Sequence, residues 1–513
     1  MRTLGLTFCF AAILAMVAVG QEAQQGSITG FVFDSTQSVV PNATITATNQ
    51  AAGLSRTVQT NEAGVYTASG LQPGVYNAKA TASGFKTVEQ TGIILNVGTS
   101  VRVNFTMEVG AVTETVLVRD VAPVLKTETG EVATLVSGTQ LSELALNGRN
   151  FTQFLALGTG VVSQQTGRQM GLGQEGNPLM GVHGGRISMN KYTYDGTVAM
   201  DTGGNRGLDL FPPMEAISEV KVQKSNYGAD QGGFGHGIVN IVTRSGGQQF
   251  HGDIYEYFRN DKLDSRNFFS NERQNIRLNN FGYTLGGPFF IPGKYNTSKT
   301  KDFFFWSQSF ARRIGPQITS YTTPPTGVFT ATVPTAALRT GDFSGLAAIR
   351  DPSAVPYPNN RIPASQLDPN AQVLINTFYP LPNRAGSPNY VYNTHSFTRY
   401  REELIRWDHM FNEKWSYTAR YAQDTWYQDQ DIKRPGNSPL PTFPNLSGKP
   451  GKNGTTKLTT VFSPTKVNLF TFGYSYNQIT NTPTGGFRPS GYNVPEAYSS
   501  NTNKMASSAE FVG

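Results

Sequence analysis

Two kinds of alternation run through this chain, an aliphatic one early and an aromatic one late. Ala43, Ile45 and Ala47 alternate with Thr44, Thr46 and Thr48, and Val101, Val103, Phe105 and Met107 alternate with Arg102, Asn104 and Thr106. A period of two puts one face of a strand inward and the other in water. Asn61-Glu62-Ala63-Gly64, Gln72-Pro73-Gly74 and Ser83-Gly84 separate such runs with residues that tight turns tolerate. The pattern predicts a small antiparallel β-sandwich over 26–109. From His251 the alternating residues turn aromatic: Phe281, Tyr283 and Leu285, then Trp415, Tyr417, Ala419 and Tyr421, then Phe470, Phe472, Tyr474 and Tyr476. In a transmembrane barrel one such face meets lipid and the other the lumen. A soluble sandwich with aromatic strands is the alternative on pattern alone. Phe411-Asn412-Glu413-Lys414 and Ser463-Pro464-Thr465 read as short hairpin turns between these strands.

The middle of the chain is less regular. Leu141, Leu144 and Ala145 recur at helical spacing behind Ser137-Gly138-Thr139, and Asn147-Gly148 stops that helix. Asp195-Gly196 suits a tight turn. Ile238 to Val242 is a short apolar strand, followed by a turn at Ser245-Gly246-Gly247 and a second strand from Gly252. Between Ile314 and His395 lie 12 of the 29 prolines, which deny ladder hydrogen bonds and exclude a run of barrel strands. An extracellular loop is expected there, with a short helix over Asp368 to Phe378 between Pro369 and Pro380.

Composition narrows the chemistry. Hydrophobic residues are 38% and charged ones 15%, with 54 Gly, 32 Phe and 22 Tyr, which suits a β-rich, turn-rich chain. Apart from the N-terminus, no apolar run reaches the roughly 20 residues of a membrane helix, so a membrane form must be a barrel. The net charge of +7 is spread over turns and strand ends, which speaks for a solvated surface and against nucleic-acid binding. Arg2, the apolar run Leu4 to Val19 and the small residues Ala18-Val19-Gly20 predict a secretory signal peptide over 1–20, with a membrane anchor as the alternative. Cys9, the only cysteine, lies inside it, so the mature chain would hold no disulfide. The five histidines are dispersed, and no nucleophile, paired acid and base or metal cluster is visible. No catalytic, cofactor or metal site is expected, and the chain does not read as an enzyme.

Several motifs carry a resemblance. GFVFDSTQSVVPNATITATN, NEAGVYTASGLQPGVY and ASGF resemble the carboxypeptidase regulatory-like, or transthyretin-like, domain over 26–109. Farther on, LALNGRNFTQFLALGTGV, GVHGGRISMNKYTYDGTVAMD, PMEAISEVKV and NIVTRSGG are similar, in order, to the plug of Oar-like TonB-dependent outer-membrane receptors. The resemblance implies a mainly β chain: a transthyretin-like sandwich, an α+β plug over 127–247, and a partial antiparallel transmembrane β-barrel over 248–513. The linker over 110–126 holds Glu114, Thr115, Val116, Leu117 and Val118, a stretch similar to the TonB box that the energy transducer TonB pulls; a final sandwich strand is the other reading. A β-prone segment of this kind can add to the edge of another protein's sheet. Seven or eight strands are convincing after residue 248, fewer than the family's barrel needs, so an N-terminal portion of a longer protein is expected.

The expectation is therefore a receptor in a Gram-negative outer membrane, surrounded by its lipid and working with TonB. It would take up an extracellular small molecule such as an iron chelate, an oligosaccharide or a peptide, by energised transport. The rival is a surface binding or adhesion protein whose barrel only anchors it. A working TonB box separates the two.

Overall fold

The structure, a computed structural model, describes residues 25–112, 115–118, 130–144, 146–163, 171–177, 179–201, 207–228, 231, 235–265, 273, 275–315, 328–393, 396–430, 445–463 and 466–483. The expected signal peptide lies outside the described residues. Nine strands come first: β1 (Gly26–Asp34), β2 (Thr44–Asn49), β3 (Ser55–Gln59), β4 (Val65–Leu71), β5 (Gly74–Thr81), β6 (Thr87–Leu95), β7 (Ser100–Arg102), β8 (Phe105–Met107) and β9 (Thr115–Val118). They form two sheets, β4-β1-β7 with β8 also on β1, and β3-β2-β5-β6-β9. The alternating positions meet between them, and Ile28, Ile45, Ala47, Tyr66, Ala78 and Met107 are buried there. Each large aliphatic or aromatic side chain so buried contributes about 1.5 to 3 kcal/mol. The Tyr66 hydroxyl donates to the Val103 carbonyl oxygen at 2.7 Å, so its polar tip is satisfied inside the core. The sandwich is not wholly antiparallel as the turn pattern suggested. β7 and β8 return parallel to β1, and β9 runs parallel to β6, because these late strands arrive by crossovers between sheets.

The next unit is built from β10 (Val132–Ser137), β11 (Val161–Ser163), β12 (Met180–Val182), β13 (Lys191–Tyr194), β14 (Thr197–Val198), β15 (Ile217–Ser225) and β16 (Ile238–Thr243). Five of these form a mixed sheet in the order β10-β15-β16-β13-β14, with every residue of β16 buried. The helix after Ser137 is shorter than helical spacing suggested: it spans Gly138–Glu143 and leaves Leu144 extended. A capping box fixes its start, with Ser137 accepting from the Gln140 N–H and Gln140 accepting from the Ser137 N–H. The chain then straightens to lay Leu146 on the core, so Leu144 is half exposed rather than part of an apolar helix face. Ala145 lies outside the described residues. Asp195 and Gly196 take φ of 49° and 83° between β13 and β14, the left-handed pair that a two-residue hairpin turn requires.

The remaining strands are β17 (Ile254–Asn260), β18 (Arg277–Pro288), β19 (Asp302–Gly315), β20 (Val328–Ala331), β21 (Tyr390–Asn393), β22 (Ser396–Asn412), β23 (Trp415–Gln430), β24 (Asn445–Gly448), β25 (Gly451–Ser463), β26 (Lys466–Asn477) and β27 (Thr480–Pro483). All but β20 and β21 belong to one antiparallel nine-stranded sheet. Its long members run 12 to 17 residues, above the roughly 9 to 11 that cross a bilayer. Among the described residues no helix is long and apolar enough to cross a membrane. Phe281, Tyr283, Trp306, Ile405, Trp407, Phe470, Phe472 and Tyr474 point away from the plug and are exposed, while Arg406, Asp408, Arg420 and Asp424 point toward it and are buried. That is the lipid-out, lumen-in alternation of a barrel wall.

Between β19 and β22 the proline-rich stretch folds as a separate lobe. β20 pairs with β21, and a helix runs over Pro369–Phe378 with Asp368 as its N-cap, accepting from the Asn370 and Ala371 N–H groups. Arg339 ties this helix to the rest by donating to the Tyr379 and Pro380 carbonyl oxygens at 2.7 and 2.6 Å.

Candidate functional site

The plug leaves for the wall through Ser245-Gly246-Gly247, and the turn is tight for a stated reason. A Cβ at Gly246 would stand 2.4 Å from the Phe304 carbonyl oxygen and 2.7 Å from that of Gly287. Only a residue without a side chain lets the exit segment lie against β18 and β19. Just above this exit the wall and plug meet in a chain of buried charges.

Asp195, at the tip of the β13–β14 hairpin, accepts from the Thr243 N–H and hydroxyl at 2.9 Å each, and from Arg420 Nε at 3.1 Å. Arg420 is fully buried; it also donates to the Tyr194 and Asn453 carbonyl oxygens and the Thr455 hydroxyl, each at 2.8 Å. Burial alone would push the Asp195 carboxyl up, but Arg420 and Arg406 outweigh it and hold the group below the usual carboxylate range. Arg406 donates to the Thr243 carbonyl oxygen at 3.0 Å and to Asp408 at 2.8 Å. The sandwich joins the same chain through Gln72, which donates to Asp408 at 3.3 Å and accepts from Arg406 at 3.4 Å. One network thus links the sandwich, the plug and the barrel wall. A second ion pair, Arg313 with Glu175 at 3.0 Å, ties the wall to the plug again, and Arg149 with Glu215 braces the plug internally.

The sandwich also grips the plug directly. Glu219 of β15 accepts from the Val97 N–H, and Lys221 donates to the Val97 and Gly98 carbonyl oxygens at 3.2 and 3.3 Å and to Glu131 at 2.8 Å. Burial pushes the Glu219 carboxyl up to about 7, against the Val97 N–H and Lys221, which favour its charge. A carboxyl raised in the fold stabilises most below its unfolded value near 4.5, and that contribution is lost as pH rises through about 7. The contact is therefore expected to weaken by on the order of 3 kcal/mol from mildly acidic to neutral pH. Amide exchange at Val97 and Gly98, corrected for intrinsic rates, reads this: protection falls toward pH 8 in the wild type and stays level in Glu219→Gln.

Thr115–Val118 form β9, paired in parallel with β6 in the register Thr87↔Thr115, Val88↔Val116, Glu89↔Leu117 and Gln90↔Val118. Among the described residues this strand stands at the end of its sheet, and Glu114 lies outside them. Sequence reasoning missed the buried cations. Arg406 and Arg420 sit within strands rather than at strand ends, and a charge at membrane depth on a lumen-facing position needs a partner inside. That depth was the available signal.

Residues 27–108 match the family described as Carboxypeptidase regulatory-like domain. The chain is 26% identical over 285 residues to the TonB-dependent transporter Oar of Myxococcus xanthus, covering 52% of this chain and 25% of that protein. Among solved structures it is similar to the outer membrane transporter YddB of Escherichia coli, at 10% identity and a TM-score of 0.40, over 69% of this chain and 40% of that one. The siderophore receptor PirA of Acinetobacter baumannii aligns at 11% identity and a TM-score of 0.33, over 68% and 48%. The chain spans about a quarter of the length of the curated relative. Residues 242–512, more than half of the sequence, match the family described as Outer membrane beta barrel domain, and the chain belongs to that family of the Gram-negative outer membrane.

Proposed function

We propose that the chain works as a TonB-dependent receptor that takes up an extracellular ligand, with TonB pulling on the Glu114–Val118 segment to displace the plug. One observation carries this reading. The plug sheet is held to the wall by side-chain charges and hydrogen bonds that can part and re-form, with Asp195 and Arg420 at their centre. A purely anchoring barrel has no need of a removable filling. The ligand is a small molecule such as an iron chelate, an oligosaccharide or a peptide, met first by the folded lobe over 328–393 between β19 and β22. The test is binding of TonB's purified periplasmic domain to the full chain in detergent. A dissociation constant of about 1 to 100 μM supports transport; no binding at higher concentrations supports the anchored adhesin instead.

A further inference from the structure

TonB's recognition of β9, on which this inference rests, leaves open what happens to the sandwich. A strand has two backbone edges, and pairing with β6 uses one of them. Among the described residues the sheet order ends on β9, so its other edge has no strand beside it there. Successive side chains of a strand point to opposite faces, and here Val116 is 38% and Leu117 46% exposed. Both faces of β9 and one backbone edge are therefore readable without detaching it. The strand is also held from upstream, where Thr87 Oγ1 donates to the Val112 carbonyl oxygen at 2.8 Å and Phe85 bridges to Val109.

We propose that TonB's strand adds to the outer edge of β9 while β9 stays paired with β6, making the sandwich the element that receives the pull. The five-stranded sheet becomes six-stranded, and the sandwich acts as a handle on the plug. Its grip is already built. Val97 and Gly98 are held by Glu219 and Lys221 of the plug, and Gln72 by Arg406 and Asp408 of the wall. The Gln248 N–H, one residue past the exit turn that joins the plug to the wall, donates to the Ala51 carbonyl oxygen at 3.0 Å. A sandwich drawn toward the periplasm pulls on β15 and on the exit segment together, and must part from the wall at Gln25, Arg56 and Gln72, whose side chains donate to the Thr459 hydroxyl, the Glu413 carbonyl oxygen and Asp408. The role of this domain is thus to pass force to the plug at two points.

The test is a lock between β6 and β9. Val88 and Val116 are register partners, and adjacent strands lie at a spacing a disulfide can bridge. Cys9 is the only native cysteine, so Val88→Cys with Val116→Cys in a Cys9→Ala background gives one defined bridge. The full chain in detergent, oxidised and then reduced, is titrated with TonB's periplasmic domain. The proposal expects the two affinities to agree within about two-fold. A loss of about ten-fold or more on oxidation, restored by reduction, means that TonB takes a stripped strand and overturns it. Absence of binding by the unsubstituted chain overturns the TonB reading itself. If the bridge fails to form, amide exchange in the complex decides: protection of Thr87 to Gln90 is kept under the proposal and lost if β9 is stripped.

Discussion

Arg420→Ala is expected to loosen the plug from the barrel wall by about 3 to 5 kcal/mol, the usual cost of breaking a buried ion pair from one side. The arginine is fully buried, and its removal takes four hydrogen bonds from plug and wall at once. It also leaves Asp195 facing the lumen with its hydrogen bonds from Thr243 and without its nearest cation. The guanidinium lies 3.9 Å from the centre of the Tyr194 ring, so a cation–π contact is lost as well. Urea titration in detergent, followed by amide exchange in β13 and β16, reads the effect: exchange in these strands is released at lower urea than the unfolding of the wall. Pairing the change with Asp195→Asn removes both charges and is expected to recover more than half of the loss. A shift below about 1 kcal/mol in the single variant would place the hold on the plug elsewhere.

Val116→Pro is expected to abolish TonB binding, lowering affinity by at least about ten-fold. Proline removes a backbone N–H and fixes φ near −65°, which a ladder strand does not tolerate away from its edge positions. Whichever way the Val116 amide points, the substitution is damaging: toward β6 it undoes the docking of β9, and toward the outer edge it removes a donor for the incoming strand. The barrel is untouched, since β9 contributes nothing to the nine-stranded sheet. The sandwich core also persists, because Val116 is not among its buried members. Val116→Thr keeps the backbone and β propensity and serves as the control that binds. Equal binding by the proline and threonine variants moves the recognised segment away from 114–118.

The parts of this fold that sequence made legible are those set by local geometry. Asp195-Gly196 takes a left-handed pair of dihedrals because few other residues adopt them cheaply, and the hairpin formed where the dipeptide stands. Pro369 near its start and Pro380 beyond its end bounded the lobe helix to within one residue, with Asp368 standing as its cap rather than its first residue, since prolines act within one turn. The alternation at Phe281, Tyr283 and Leu285 gave the lipid face for a similar reason: a period of two is a property of the strand itself. Long-range pairing was not legible. The parallel return of β7 and β8 to β1 is set by crossovers between sheets, and the partner of β9 lies 28 positions earlier in the register. The overall charge also misled, because Arg406, Arg420 and Arg313 hold the seam with the plug rather than coating a surface. Composition records that a cation is present, while its burial depends on where a strand sits in the wall.

Val239, the second residue of β16 and fully buried, gives the most direct view of plug displacement. A single thiol there, Val239→Cys with Cys9→Ala, is exposed to a membrane-impermeant maleimide in growing cells, with the proton gradient intact or collapsed. The account predicts labelling at least about ten-fold faster with the gradient intact, and no such difference when Val116→Pro is added. Equal labelling with and without the gradient would contradict energised transport and leave the barrel as an anchor.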